Sequence, residues 1–321
     1  MKVDKCQPRV TVIIINYNGR QYLEELLSSL RDQTYTSFEA VLIDNASSDG
    51  SVDFVKDFAP WVRPAPQKTN LGFAKAANRG AQVSDAEYVV FLNTDLKLAP
   101  EWLERMVEVA DQDEQVAAVA PKMLLFREPF RLNGVGGCMN ALGYTWDRGM
   151  FERDTGQYDE PSDVLFASAA AALFRRATFL ETGGFDERFF MYHEDVDLGW
   201  RLWLSGYRIV TQPQSVVYHH FGATTASAKG MNWREILGER NNIRALIKNY
   251  RPSNLIWALW NLFLLRQPIP RKLSQFRNFA WNLWHLPESL RLRRQVQRKR
   301  VRSDGDLKAL IVQSKDVPIR L

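Results

Sequence analysis

With 321 residues, 45% hydrophobic and 25% charged, the chain has an ordinary globular composition and can bury the core of one large domain, or of one domain with an appendage. Its two cysteines, Cys6 and Cys138, exclude a disulfide framework and a CxxC zinc site and point to a reducing, cytosolic setting; Met1 to Lys5 lacks the apolar stretch of a signal peptide. The net charge of +5 is unevenly spread: residues 251–302 hold twelve Lys or Arg against Glu288 alone, a balance of +11 that leaves −6 for the rest.

In chain order, the apolar run Val10 to Ile15 reads as a buried strand, Gln21 to Leu30 as a helix and Phe38 to Ile43 as a second strand, a βαβ rhythm. Helical segments follow at Ser51 to Phe58 and Phe73 to Val83, then a strand at Tyr88 to Leu92. A helix from Pro100 to Ala110 comes next, its proline suited to the first turn, and then a strand at Val116 to Ala120. Residues 126–163 loosen into Gly, Asn, Asp and aromatics, a length of chain expected to be hairpin-like and to face substrate. Val164 to Phe174 is expected as an Ala-rich strand. Asp195 to Leu204 is expected as a helix burying Val196, Leu198, Leu202 and Trp203, with Arg208 to Thr211 and Val216 to Tyr218 as two closing strands. The expected fold class is α/β, a mostly parallel sheet with flanking helices over residues 1–230, followed by a helical, basic, Trp-rich region over 231–321.

That last region reads as helical from Trp233, with Asn254 to Leu265 and Leu273 to Arg300 separated by Pro268 and Pro270. Its longest apolar stretch, Leu255 to Leu265, is too short to span a bilayer, which takes about 20 apolar residues. Trp257, Trp260, Trp281 and Trp284 interleave with Arg266, Arg271, Lys272 and Arg277, ahead of Arg291, Arg293, Arg294 and Arg298 to Arg300. Two readings stand side by side. Tryptophan and arginine through 251–302 suit the interface of an anionic membrane, or the tryptophans pack on the domain and leave a solvated basic face. Nucleic acid is not expected, because no recognition motif accompanies the charge.

The strand ends carry the chemistry. Asn16-Tyr17-Asn18-Gly19 closes the first strand, Asp44-Asn45-Ala46-Ser47-Ser48-Asp49-Gly50 the second, and Asn93-Thr94-Asp95 the strand at 88–92. Each cluster alone is ordinary turn chemistry, but their recurrence at one sheet edge marks the place where open α/β sheets bind ligands. No GxxxxGK[ST] occurs, and Gly134-Val135-Gly136-Gly137 fails the GxGxxG spacing, which argues against dinucleotide dehydrogenases and P-loop enzymes. A nucleotide diphosphate bound here needs a cation instead, and Asp95 is placed to hold one.

Further on, Gly183-Gly184-Phe185-Asp186-Glu187 leads into Phe189-Phe190-Met191-Tyr192-His193 and the acids Glu194, Asp195 and Asp197. The helix macrodipole accounts for acids at a helix start, though not for the aromatics before them. A carboxylate beneath aromatic faces suits a general base acting on a sugar hydroxyl. His219 and His220 follow a strand end. One imidazole, one carboxylate and diphosphate oxygens suit Mn or Mg better than zinc.

Taken in order, Val12 to Asn18, Asp44 to Gly50, Asn70 to Gly80, Leu92 to Asp95, Gly183 to Glu187 and Glu194 to Leu198 resemble the inverting GT-A-fold glycosyltransferases, in particular bacterial rhamnosyltransferase-like enzymes that extend polysaccharides or O-antigens. The resemblance covers about residues 10–225. It implies that Asn16, Tyr17, Asn18 and Asp44 contact the base and ribose, and that Asn45, Asn70, Gly72, Lys75, Asn78, Asn93 and Thr94 belong to the donor site. Asp95 resembles the last acid of a DxD-type metal motif, His219 or His220 a further metal ligand, and Asp195 the catalytic base; Gly184, Trp146 and Glu194 fall on the acceptor side. Asn93 stands where many members have an acid, leaving Asp95 the sole anion of its motif. The implied partners are a dTDP- or UDP-sugar, Mn or Mg, and a glycan or lipid-linked acceptor, with the enzyme cytoplasmic and peripheral on the inner face of the membrane. The rival readings are a sugar-phosphate nucleotidyltransferase and a non-catalytic nucleotide-sugar-binding protein.

Overall fold

The computed structural model describes residues 7–221, 233–264 and 269–312. The start of the chain with Cys6, the expected helix end at Leu265, Arg266 and the break at Pro268 lie outside the described residues, as do the side chains of Arg271 and Lys272.

The chain runs β1 (Val10–Asn16), α1 (Arg20–Arg31), β2 (Phe38–Asp44), α2 (Ser51–Phe58), β3 (Val62–Pro66), α3 (Phe73–Val83), β4 (Tyr88–Asn93), β5 (Leu96–Leu98), α4 (Trp102–Gln112) and β6 (Val116–Leu125). The 126–163 stretch holds β7 (Leu132–Val135), β8 (Gly137–Asn140) and β9 (Thr145–Asp147). Then come β10 (Leu173–Arg175), α5 (Arg176–Glu181), α6 (Glu194–Leu204) and β11 (Arg208–His219). Beyond these lie α7 (Trp233–Asn249), α8 (Pro252–Leu264), α9 (Ile269–Trp284), α10 (Leu286–Lys299) and β12 (Ile311–Val312).

β1 is buried along its whole length because helices cover both faces of the sheet. Alternate residues feed separate cores: Val12 and Ile14 pack with Leu23, Leu26 and Leu27 of α1 and Trp102 of α4, whereas Ile13 and Ile15 pack with Ala74 and Ala77 of α3 and Leu198 of α6. The main sheet has nine strands in the order β3-β2-β1-β4-β10-β6-β11-β5, with β7 on β6. β2 and β4 flank β1 in parallel, so Asn16 lies opposite Asp44, and Ile15 opposite Asn93. The three polar clusters therefore do share one sheet edge.

Three expected elements differ. Val164 to Phe174 yields a strand only at Leu173–Arg175, antiparallel between β4 and β6. The residues before it have other partners, the Phe166 carbonyl taking the Gly137 amide and the Ala169 amide pointing to Asp195. The two closing strands are one strand, β11, with a register shift between Gln212 and Val216. The long last helix divides at His285, because Pro287 lacks an amide proton and fits only in the first turn of α10.

The C-terminal helices return to the sheet domain. β12 pairs in parallel with β8 of the insertion's own hairpin. α7 joins the domain through both apolar and polar groups: Leu246 and, just past the helix end, Tyr250 enter the core, Asn241, Asn242, Arg244, Lys248 and Asn249 are all buried beside them, and Asn278, Asn282 and Ser289 are the buried residues among the described side chains of α9 and α10. Trp257, Trp260 and Trp284 are exposed, and only Trp281 is covered, by Arg240 and His285. Packing by the tryptophans is thus not how this region is held.

Candidate active site

At the shared sheet edge the polar side chains satisfy one another. Asp44 accepts from Asn16 Nδ2 at 2.6 Å, Ser47 Oγ at 2.6 Å and the Ser47 amide at 3.0 Å, and both Asn16 and Asp44 are buried. Asn18, at φ 52°, accepts from the Ser48 amide at 2.9 Å, which leaves Tyr17 beside it half exposed. Gly19 is required here: a Cβ would stand 2.5 Å from Thr94 Oγ1 and 2.6 Å from Asn16 Oδ1. Asn45 joins this edge to the next loop, donating to the Gly72 carbonyl at 3.3 Å, while exposed Asn70 accepts from the Gly72 amide at 2.9 Å. Gly72, at φ 77°, lies so close to Phe190 that a Cβ would be 2.5 Å from its ring.

The structure separates the two histidines. His219 Nε2 is 3.5 Å from Asp95 Oδ2, and its Nδ1 is 2.5 Å from Asn133 Oδ1. His220 turns away to Glu25 at 2.8 Å and stacks on Phe126. Asn133 Oδ1 can only accept, so His219 Nδ1 is the donor there and Nε2 is the ring nitrogen that faces Asp95, the orientation a metal-binding imidazole needs. Among the described residues no group of three or more His, Cys, Asp or Glu could hold a metal. The donor set at this edge is one carboxylate and one imidazole, which fits a cation that completes its shell with diphosphate oxygens.

Asp195, the carboxylate expected to act as base, approaches from α6. Asp195 accepts from the Ala169 amide at 3.4 Å, and the adjacent Ala170 carbonyl takes the Asn93 amide at 3.0 Å. Two consecutive alanines thus span the gap between Asp195 and the Asn93–Asp95 strand end. Burial lifts Glu194 and Asp195 above the usual carboxylate range, and each is a like charge to the other. Asp147, at the end of β9, is pushed up to about 7 by burial and by Asp195, with His219 and Arg234 pulling against the shift. Glu194 Oε2 and His193 Nε2 are buried without a hydrogen-bond partner, and burial holds His193 neutral, down to about 4.

Other expected residues lie elsewhere. Asn78 spends its amide on the Phe185 backbone, at 2.8 and 2.9 Å, under Gly184. Lys75 is 3.6 Å from Glu187. Lys75, Asn78 and Gly184 line a cavity of about 820 Å³ with Asp186, Arg201 and Lys248, and that lining includes none of Asp95, Asp195 and His219. Trp146 is half-buried opposite Cys138 in the β8–β9 hairpin. Sequence reasoning missed Asp147, Asn133 and Asn241. Asn241 Nδ2 donates to the carbonyls of Phe189, Met191 and Tyr192, at 2.8–3.1 Å, gathering the loop that delivers Asp195. An Asn pair inside a helix, against its propensity, was the available signal.

The model of the family described as Glycosyl transferase family 2 matches residues 11–183. The chain belongs to this family. Over 238 residues it is 32% identical to the N-acetylglucosaminyl-diphospho-decaprenol L-rhamnosyltransferase of Mycobacterium tuberculosis, covering 67% of this chain and 76% of that one. It is 30% identical over 227 residues to the O-antigen biosynthesis protein RfbC of Myxococcus xanthus, across 68% of this chain and 18% of that protein. Among solved structures, GalNAc-T7 with UDP, GalNAc and Mn2+ superposes with a TM-score of 0.65 at 16% identity, over 89% of this chain and 58% of the other, showing a shared GT-A fold. The chain is accordingly a family 2 glycosyltransferase that resembles rhamnosyltransferases, and none of its described helices is long and apolar enough to cross a membrane.

Proposed function

We propose that this glycosyltransferase moves rhamnose or a similar hexose from a dTDP- or UDP-sugar to a hydroxyl of a lipid-linked glycan, with inversion, on the cytoplasmic face of a membrane. The observation that carries the reading is the Ala169–Ala170 link, which brings a carboxylate of raised pKa to the strand end bearing Asp95 and His219. In a single displacement the acceptor oxygen bonds to the anomeric carbon as the bond to the diphosphate oxygen breaks, and the acceptor proton passes to Asp195. Asp95 and His219 would hold Mn or Mg, which supplies charge stabilisation to the departing diphosphate. Asn16, Asp44 and Asn45 position the nucleoside, and the unpartnered Glu194 carboxylate faces the acceptor side.

Removing Asp195 as Asp195→Asn is expected to lower transfer by at least ~10²- to 10⁴-fold, the usual worth of a general base, with donor affinity in calorimetry within about twofold. Retained turnover, or lost donor binding, in that variant overturns the assignment.

A further inference from the structure

Helices α9 and α10 have their polarity reversed relative to an ordinary surface helix. Their buried groups among the described side chains are Asn278, Asn282 and Ser289, while large apolar side chains of α8 and α9 look outward. On α8, Ala258 and Leu262 form the buried face, and Ile256, Trp257 and Trp260 are 69%, 50% and 63% exposed. On α9, Phe276, Leu283 and Trp284 are 74%, 70% and 84% exposed, at the spacing of one helix face. Solvent alone does not reward that arrangement, and exposed aromatics in such numbers mark a contact surface.

The accompanying charge selects the partner. Arg277 on α9 and Arg291, Arg294 and Arg298 on α10 are exposed. Glu288, the only acid in 251–302, is already bound to Arg188 at 3.0 Å. A second copy of the chain seated on this face would place like charges opposite one another. A protein partner would need acids to match. An anionic bilayer satisfies both halves of the surface, with headgroup phosphates for the arginines and the interfacial layer for tryptophan and phenylalanine.

We infer that the outward faces of α8, α9 and α10 dock on an anionic phospholipid bilayer, where the enzyme meets its acceptor. This deepens, and rests on, the reading of the acceptor as lipid-linked. The surface is continuous in structure with the site: α7, against which α9 and α10 pack, carries the Asn241 amide that gathers the loop before Asp195. Docking therefore fixes the catalytic domain relative to the membrane through the helices that pack on α7.

The test is co-sedimentation of the full chain with phosphatidylcholine vesicles, with and without phosphatidylglycerol. Binding is expected only with the anionic lipid and is expected to weaken as salt shortens the screening length. The variant W257A/W260A/F276A/W284A, all at exposed positions, should lose about tenfold or more in vesicle affinity, and R291E/R294E/R298E should lose the preference for anionic lipid. Calorimetric donor affinity should be unchanged in both, so failure of the membrane surface is read separately from failure of the active-site assignment. Equal binding of wild type and the aromatic variant, equal binding to neutral vesicles, or a wild-type dimer that the aromatic variant converts to monomer while vesicle binding persists would each overturn the inference.

Discussion

Asp197 on the one hand and Glu194 and Asp195 on the other sit within four residues of each other on α6, and their surroundings divide structure from chemistry. Burial would raise the pKa of Asp197, but Lys248 at 2.8 Å and Arg201 at 2.9 Å more than offset it and hold it below the ordinary carboxylate range, and the Asn249 amide adds a hydrogen bond at 3.1 Å. Asp186, which shares Lys248 and adds Arg244 at 2.8 Å, is likewise held down against burial. Glu194 and Asp195, three and two residues earlier, have no such cation and are raised, as is Asp147. The difference teaches that cations supplied by α7 and α6 lock one set into the fold. The other set is left short of positive charge, which a cation and an acceptor proton would bring.

The largest effect expected from breaking that contrast is at Lys248. Its Nζ lies 2.7 Å from Asp186 and 2.8 Å from Asp197, and the residue is buried. Lys248→Ala leaves two buried carboxylates without their shared partner, a change that typically costs about 3–5 kcal/mol. Urea melts of the purified variant should show that loss, and pairing the change with Asp197→Asn should restore part of it. A loss below about 1 kcal/mol would mean that the ion network is not what joins α7 to the domain.

A smaller effect is expected at Asn241, which couples the locked set to the reactive one. Phe190, Tyr192 and His193 all have φ between 65° and 73°, a region that costs non-glycine residues about 1–3 kcal/mol each. The strained loop persists because the Asn241 amide binds three of its carbonyls and the Ala74 amide binds the Phe190 carbonyl. Asn241→Leu is expected to lower stability by about 1–3 kcal/mol. It should also reduce kcat by roughly tenfold with a smaller change in donor KM, since the loop leads directly into Asp195 and reaches the donor side only through Phe190 against Gly72 and Ala74. An unchanged kcat, or an effect confined to donor KM, would assign Asn241 to packing alone.

How much of this was legible follows from where each signal is written. β1, β2, β4 and their helices are plain in sequence because burial on two faces imposes an unbroken apolar run. β3 is hidden by Pro64 and Pro66, which lack amide protons and are tolerated only because it is an edge strand. Asp95 and Asp195 are readable because they stand at element ends, where turn residues and acids are conspicuous. The choice of His219 over His220 was not, since strand alternation past Val216 depends on the irregularity between Gln212 and Val216. Asp147 was beyond reach for a different reason: its electrostatic neighbours Asp195, His219 and Arg234 come from segments 48 or more residues away, and no local pattern records that meeting.

The mildest test of the contrast is pH. If Asp195 is the base, kcat/KM should rise about tenfold per pH unit on the acid side and level off only above the ordinary carboxylate range near 4. Stability of the donor-free protein should move the other way over the same window. Asp147, Glu194 and Asp195 have folded pKa values above their unfolded ones, so folding takes up protons between the two, and stability declines as pH rises from about 4 through the folded values, about 7 for Asp147. Asp186 and Asp197 have the opposite sign: their contribution is present above about 4 and is lost only as pH falls through their depressed values, so they do not titrate in this window. Asp195→Asn should therefore flatten the fall in melting temperature between pH 5 and 8, and Mn with nucleoside diphosphate should oppose it in the wild type by favouring the ionised carboxylates. A rate independent of pH from 5 to 8, together with a melting temperature that Asp195→Asn leaves sloping as before, would place the proton acceptor elsewhere, with Asp147 as the next residue to replace.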